Sequence, residues 1–157
     1  MRNARKVVVV GSSRIPFCRS SGKYSKLTNF DMMVTTLKGL VDRYKLQGKT
    51  LGDVSVGAVI HQPRDWNLGR EIVLASGLSK DTPGFVVQRA CGTGLEAAIL
   101  VANKIALGQI ESGVAGGADT MSDPPIVFSK KFVSRLLRAS KAKGLGDSIK
   151  AWLGFSP

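Results

Sequence analysis

The segment over residues 83–123 (PGFVVQRACGTGLEAAILVANKIALGQIESGVAGGADTMSD) leaves the chain little freedom of fold. A short run of β-formers, Phe85, Val86 and Val87, leads into Arg89-Ala90-Cys91-Gly92-Thr93-Gly94. Ten of the thirteen residues at 95–107 are apolar, with only Glu96, Asn103 and Lys104 polar, so the predicted helix there is apolar nearly all round. A helix of that kind is expected inside a protein. The arrangement is a cysteine between a strand and a buried helix. A thiol in that place meets unpaired backbone N–H groups and the positive end of the helix dipole, both of which favour thiolate over thiol. The residues alone leave two readings of Cys91 open, an activated nucleophile or an inert buried cysteine.

Strands alternate with helices over the rest of the chain. Residues 6–11 (KVVVVG) read as a buried strand, because four β-branched residues in a row suit a sheet covered on both faces. Residues 12–26 read as a polar loop. Thr28 or Asn29 can cap a helix to about Tyr44, on which Phe30, Met33, Val34, Leu37, Leu40 and Val41 form one stripe. Residues 54–62 (VSVGAVIHQ) read as the second strand, 68–76 as a short helix stopped by Gly77, 85–88 as the third strand and 113–118 (GVAGGA) as the fourth. The expected fold class is therefore α/β, with helices packed on a mainly parallel sheet.

Several functions are excluded or weakened by what the motifs lack. The first strand ends in a single glycine (VVVVGSSR), so the GxGxxG fingerprint for a dinucleotide is missing. Arg89 and Thr93 stand where a hydrolase nucleophile elbow needs glycines. Two cysteines, Cys18 and Cys91, and one histidine, His61, offer no zinc spacing, and no metal is expected. His61 is a candidate base with no partner visible in the sequence, and Cys18 lies in a basic polar loop. No secretory signal and no membrane-length apolar run are read, so reduced thiols in a cytosol-like compartment are expected.

The formal charge of +12 predicts attraction to something anionic. It is concentrated near the end of the sequence: residues 129–150 carry Lys130, Lys131, Arg135, Arg138, Lys141, Lys143 and Lys150 against one acid, Asp147. Phe132, Val133, Leu136 and Leu137 share one side of a helical wheel there, the pattern of a basic amphipathic helix. CoA phosphates, an anionic lipid surface and plain solvent are the readings of that charged face. Nucleic acid is disfavoured, because aromatic residues are not interleaved with the charges. The large apolar residues in WLGFSP read as an interruption of a longer sequence.

Four motifs together resemble a known family. Arg14-Ile15-Pro16-Phe17, Arg70-Glu71-Ile72-Val73-Leu74, Arg89-Ala90-Cys91 with its Gly/Thr-rich sequel, and Ala115-Gly116-Gly117-Ala118-Asp119-Thr120-Met121-Ser122-Asp123-Pro124 resemble the amino-terminal half of a thiolase. Ile126, Ser129-Lys130-Lys131 and Lys141-Ala142-Lys143 resemble most the thiolase subunit of the fatty-acid oxidation multienzyme complex. The resemblance implies a thiolase-like half over residues 1–124 and the start of a CoA-covering loop region over 125–157. It also implies a mixed, mainly parallel five-stranded sheet around a buried central helix.

For chemistry, the resemblance implies that Cys91 accepts the acyl group of a 3-ketoacyl-CoA and passes it to a second CoA, with the Cys91 backbone N–H as a donor to the oxyanion and Gly92 letting substrate and neighbouring backbone come close. Coenzyme A and acyl-CoA are then substrates, and no cofactor is permanently bound. Implied partners are further copies in a dimer or tetramer, a hydratase/dehydrogenase subunit and a peripheral membrane contact, in the cytoplasm or the mitochondrial matrix. The Gly-His-Pro and late Cys-x-Gly motifs that supply a thiolase with its base and its proton carrier do not occur in these 157 residues. These residues alone are therefore expected to be inactive in thiolysis. A condensing enzyme of the ketoacyl-synthase type and a noncatalytic basic module are the alternatives.

Overall fold

The computed structural model describes residues 4–142, 144, 146, 147 and 149. They include α1 (Asn29–Arg43), β1 (Asp53–Gly57), α2 (Leu68–Ser76), β2 (Gly84–Val86), α3 (Thr93–Ala106), β3 (Gly113–Gly117) and α4 (Lys130–Ser140). Residues up to Pro125 form one compact unit and those from Ile126 another. No described helix is long and apolar enough to cross a membrane.

The first unit is built on a three-stranded parallel sheet in the order β2-β1-β3. Val54 sits opposite Gly84 on one side and Val114 on the other, so β1 is central and buried along its whole length. The pleat sends its side chains alternately to two layers. Val54 and Val56 join Met33, Leu37 and Val41 of α1 and Leu68, Ile72 and Val73 of α2 in the main core. On the other face α3 packs on β1 and β3. There Asp53, itself buried, pairs with Lys104, which also stands 4.7 Å over the Phe85 ring. The result is a sheet between helices on both faces.

Local chemistry explains where the helices start and stop. Thr28 caps α1 through a reciprocal box: its hydroxyl accepts from Asp31 N–H at 3.1 Å, and Asp31 Oδ2 accepts from Thr28 N–H at 2.9 Å. Gly77 ends α2 with φ 92°, in the left-handed region. Hydrogen bonds from the Thr28 backbone and hydroxyl hold Asp31 below the ordinary aspartate range. A lowered carboxyl contributes stability above its unfolded pKa and loses it as pH falls through the folded value. Thr28→Ala is thus expected to cost about 1 kcal/mol at neutral pH. Its stability gap from the parent should close in the acid arm, a result that urea melts across pH would read.

Two expectations from the sequence are corrected. The sheet has three strands among the described residues, not five. Residues 6–11 do not join it: Val8, Val9 and Val10 are 66, 92 and 81 % exposed, and no ladder to a neighbouring strand forms. β-branched runs favour extended backbone, but a strand also needs a partner edge, and this segment is held at its ends instead, by Arg5 N–H to Ala106 O at 2.9 Å, the Arg5–Glu111 pair and Arg43 donating to Ser12 O at 2.8 Å. The central helix is buried on one stripe and not all round. Thr93, Ala97 and Val101, spaced by four residues, face the sheet, whereas Leu95, Ile99 and Leu107 are exposed. Nothing in these residues forms a layer over that outer side.

Candidate active site

Parallel strands bring their carboxyl ends to one edge of the sheet, where open α/β sheets gather functional loops. Three loops meet at that edge. After β1, the Val59 and Ile60 N–H groups donate to Asp119 Oδ1 at 2.7 and 2.9 Å, which joins this turn to the loop after β3. After β2, Gln88 Nε2 donates to Val59 O at 2.9 Å. Cys91 lies three residues beyond Gln88, at the mouth of α3, as an exposed free thiol.

The backbone around the thiol is held tightly. Ala90 has φ 45°, a left-handed conformation that a non-glycine residue adopts at an energetic cost of about 1–3 kcal/mol. Buried Thr93 fixes it from both sides: its Oγ1 accepts from Arg89 N–H at 2.8 Å and donates to Ala90 O at 2.7 Å. Gly92 caps the helix without a side-chain hydrogen bond, and its N–H donates to Arg89 O at 3.0 Å. Arg89 reaches over the first turn to Glu96 at 2.5 Å, an exposed pair of small energetic weight. The strain and the clamp therefore converge on the residue before Cys91.

The other candidates are placed elsewhere. Cys18 is half-buried and lines an open cavity of about 530 Å³ with Arg14, Tyr24 and Thr120, and Cys91 is not in that lining. His61 is half-buried with Nε2 buried and unpartnered, and no hydrogen bond joins it to Cys91. Among the described residues no group of three His, Cys, Asp or Glu could hold a metal. Sequence reasoning missed Thr93 and Asp119 as organisers. The signals available for Asp119 were its position just after the glycine-rich strand and its place in the motif over residues 115–124.

A parallel sheet between helices, with an exposed thiol where a strand gives way to a helix, defines an α/β domain of the thiol-bearing kind. The chain belongs to the thiolase family, an acyltransferase family: residues 7–150 match the family model described as thiolase, N-terminal domain. A 3-ketoacyl-CoA thiolase from Vibrio cholerae is 37 % identical over 149 residues, which are 95 % of this chain and 34 % of that protein. A 3-ketoacyl-CoA thiolase from Shewanella denitrificans is 35 % identical over 151 residues, again 95 % of this chain and 35 % of that one. The chain thus spans about a third of the length of these relatives. Among solved structures, the Bacillus anthracis acetyl-CoA acetyltransferase superposes with a TM-score of 0.75 at 29 % identity, over 82 % of this chain and 33 % of that chain. A thiolase from Ascaris suum in complex with coenzyme A gives 0.66 at 23 % identity, over 71 and 29 %, and so shows a common fold.

Proposed function

We propose that Cys91 is the acyl acceptor of a 3-ketoacyl-CoA thiolase, whose amino-terminal part these residues represent. The observation that carries the proposal is the exposed Cys91 thiol behind a strained Ala90 that Thr93 holds in place. Similarity to proteins named 3-ketoacyl-CoA thiolase supports the substrate class.

In this reading the Cys91 thiolate attacks the keto carbon, and the carbonyl electrons move onto oxygen. Collapse of that oxyanion breaks the bond between the second and third carbons. The electron pair goes to the second carbon, which takes a proton and leaves as acetyl-CoA. The acyl group remains as a thioester on Sγ until the thiolate of another CoA displaces it, restoring the free thiol. Cys91 N–H is the oxyanion donor in this reading, and Gly92 N–H beside it is engaged by Arg89 O. The base for the thiol and the proton for the second carbon come from groups outside these 157 residues, which hold neither Gly-His-Pro nor Cys-x-Gly. Further copies of the chain and a hydratase/dehydrogenase subunit are the proposed partners, and two unpaired cysteines suit a reducing cytoplasm or mitochondrial matrix.

The test is protection. Acetyl-CoA is expected to slow the alkylation of Cys91 by iodoacetamide, followed by peptide mapping, and to leave Cys18 unprotected. An unchanged rate at Cys91, or equal protection by an unrelated polyanion, would contradict the assignment.

A further inference from the structure

Two of the sequence motifs meet at a place that the chemistry of Cys91 does not use. The cavity of about 530 Å³ beside Cys18 is lined by Arg14, Ile15 and Phe17 of the first motif and by Asp119 and Met121 of the last. Ser21 N–H donates to Ser122 Oγ at 2.8 Å and so ties the two loops together. Gly22 N–H closes the same turn on Arg19 O at 3.0 Å, and Ser21 within it has φ 57°, a left-handed state uncommon for a residue with a side chain. Arg19 is thus carried on a folded turn joined to the loop after β3. Among the described residues, the guanidinium groups of Arg14 and Arg19 and the Tyr24 hydroxyl make no hydrogen bond or ion pair, and all three side chains belong to the lining. Arg14 stands over the Phe17 ring at 6.0 Å.

We propose that this cavity binds a monocarboxylate carried on an apolar body of medium length. A guanidinium fork matches the two oxygens of a carboxylate, and the Tyr24 hydroxyl is a further donor. Charge selects the monoanion. Arg14 and Arg19 stand against Asp119 in the lining, and Asp119 Oδ1 already accepts from the Val59 and Ile60 N–H groups. A phosphate dianion would bring a second negative charge towards that carboxylate. Ile15, Met32 and Met121 make much of the remaining wall apolar, and a ligand with an apolar body takes that surface out of water. Acetate or inorganic phosphate would leave it wet. The site is independent of the role of Cys91, which does not line the cavity.

Cys18 reports occupancy, because its half-buried thiol lines the same cavity. Iodoacetamide alkylation of the 157-residue chain is followed at Cys18 and Cys91 together, with octanoate, octanamide, acetate or inorganic phosphate as the probe. Titration calorimetry measures octanoate binding in parallel. Octanoate at saturation is expected to slow alkylation of Cys18 severalfold and to leave Cys91 unchanged, whereas the other three probes leave both thiols unchanged. Arg14→Gln with Arg19→Gln should weaken octanoate binding roughly tenfold or more, since it removes the charge-assisted hydrogen bonds. Both arginines are exposed, so the variant keeps its fold, which circular dichroism and an unaltered Cys91 alkylation rate confirm. The proposal is overturned if octanoate gives neither heat nor protection, or if it binds without protecting Cys18. Equal protection by octanamide, acetate or phosphate overturns it as well, as does a glutamine variant that binds octanoate like the parent.

Discussion

Replacement of Cys91 by alanine is expected to abolish acyl transfer while leaving the domain as stable as before. The thiol is exposed and contributes no core contact, so the change in stability should stay within about 0.5 kcal/mol. Loss of the covalent acceptor removes the route itself and not merely a fraction of its rate. In any assembly of this chain that performs thiolysis, kcat should fall by at least about a thousandfold. Cys91→Ser is the sharper comparison, because it preserves shape and removes the polarisable nucleophile. Cys18→Ala serves as the control, and its cavity does not include Cys91 among its lining residues. Its activity should match the parent. Equal activity losses in the two cysteine variants would instead indicate damage to the fold.

The second large effect is expected at Gly57, the last residue of β1. A methyl group built there would overlap the Val87 carbonyl oxygen and Thr93 Cγ2 at the same time. Val87 lies in the chain leading to Cys91, and Thr93 holds the strained Ala90 backbone through its hydroxyl. Gly57→Ala must therefore move either the sheet edge or the clamp. Overpacking of this kind typically costs about 1–3 kcal/mol, and backbone atoms on one side of the clash put Gly57 at the upper end. The same substitution should slow alkylation of Cys91 even in the fraction that remains folded. Gly94 is the contrasting site, one turn position into α3 with open space around its Cα. Gly94→Ala is expected to stabilise the domain by up to about 1 kcal/mol, since alanine is the better helix residue. Calorimetry of the two variants separates crowding from a general intolerance of side chains at this end of the sheet.

Local signals in the sequence translated well into structure. The stripe through Met33, Leu37 and Val41 is the core face of α1, and Gly77 stops α2 where the turn chemistry demands it. Reading Cys91 at the junction of a strand and a helix also agrees with its position before α3. Longer-range effects were not legible. The apolar run at 54–62 continues past the end of β1, because Asp119 takes the Val59 and Ile60 N–H groups that a further ladder would have used. A carboxylate sixty residues away leaves no mark on local periodicity. For the same reason KVVVVG satisfied every local criterion for a strand and still lacks a neighbouring edge. The clamp at Thr93 depends on the left-handed Ala90, a backbone state that alanine does not advertise in sequence. The apolar outer side of α3 shows the limit from the other direction: composition correctly marks residues that want cover, without showing what provides it.

The account rests on Cys91 being an activated thiol, and its alkylation rate measures that property directly. Iodoacetamide at neutral pH, with Cys91 and Cys18 peptides quantified by mass spectrometry and glutathione as the ordinary thiol, gives the comparison. The expected result is a Cys91 rate roughly tenfold or more above that of glutathione, because the thiol is held exposed at the mouth of α3 behind the strained Ala90. A Cys91 rate equal to or below that of glutathione in the folded protein would contradict the account.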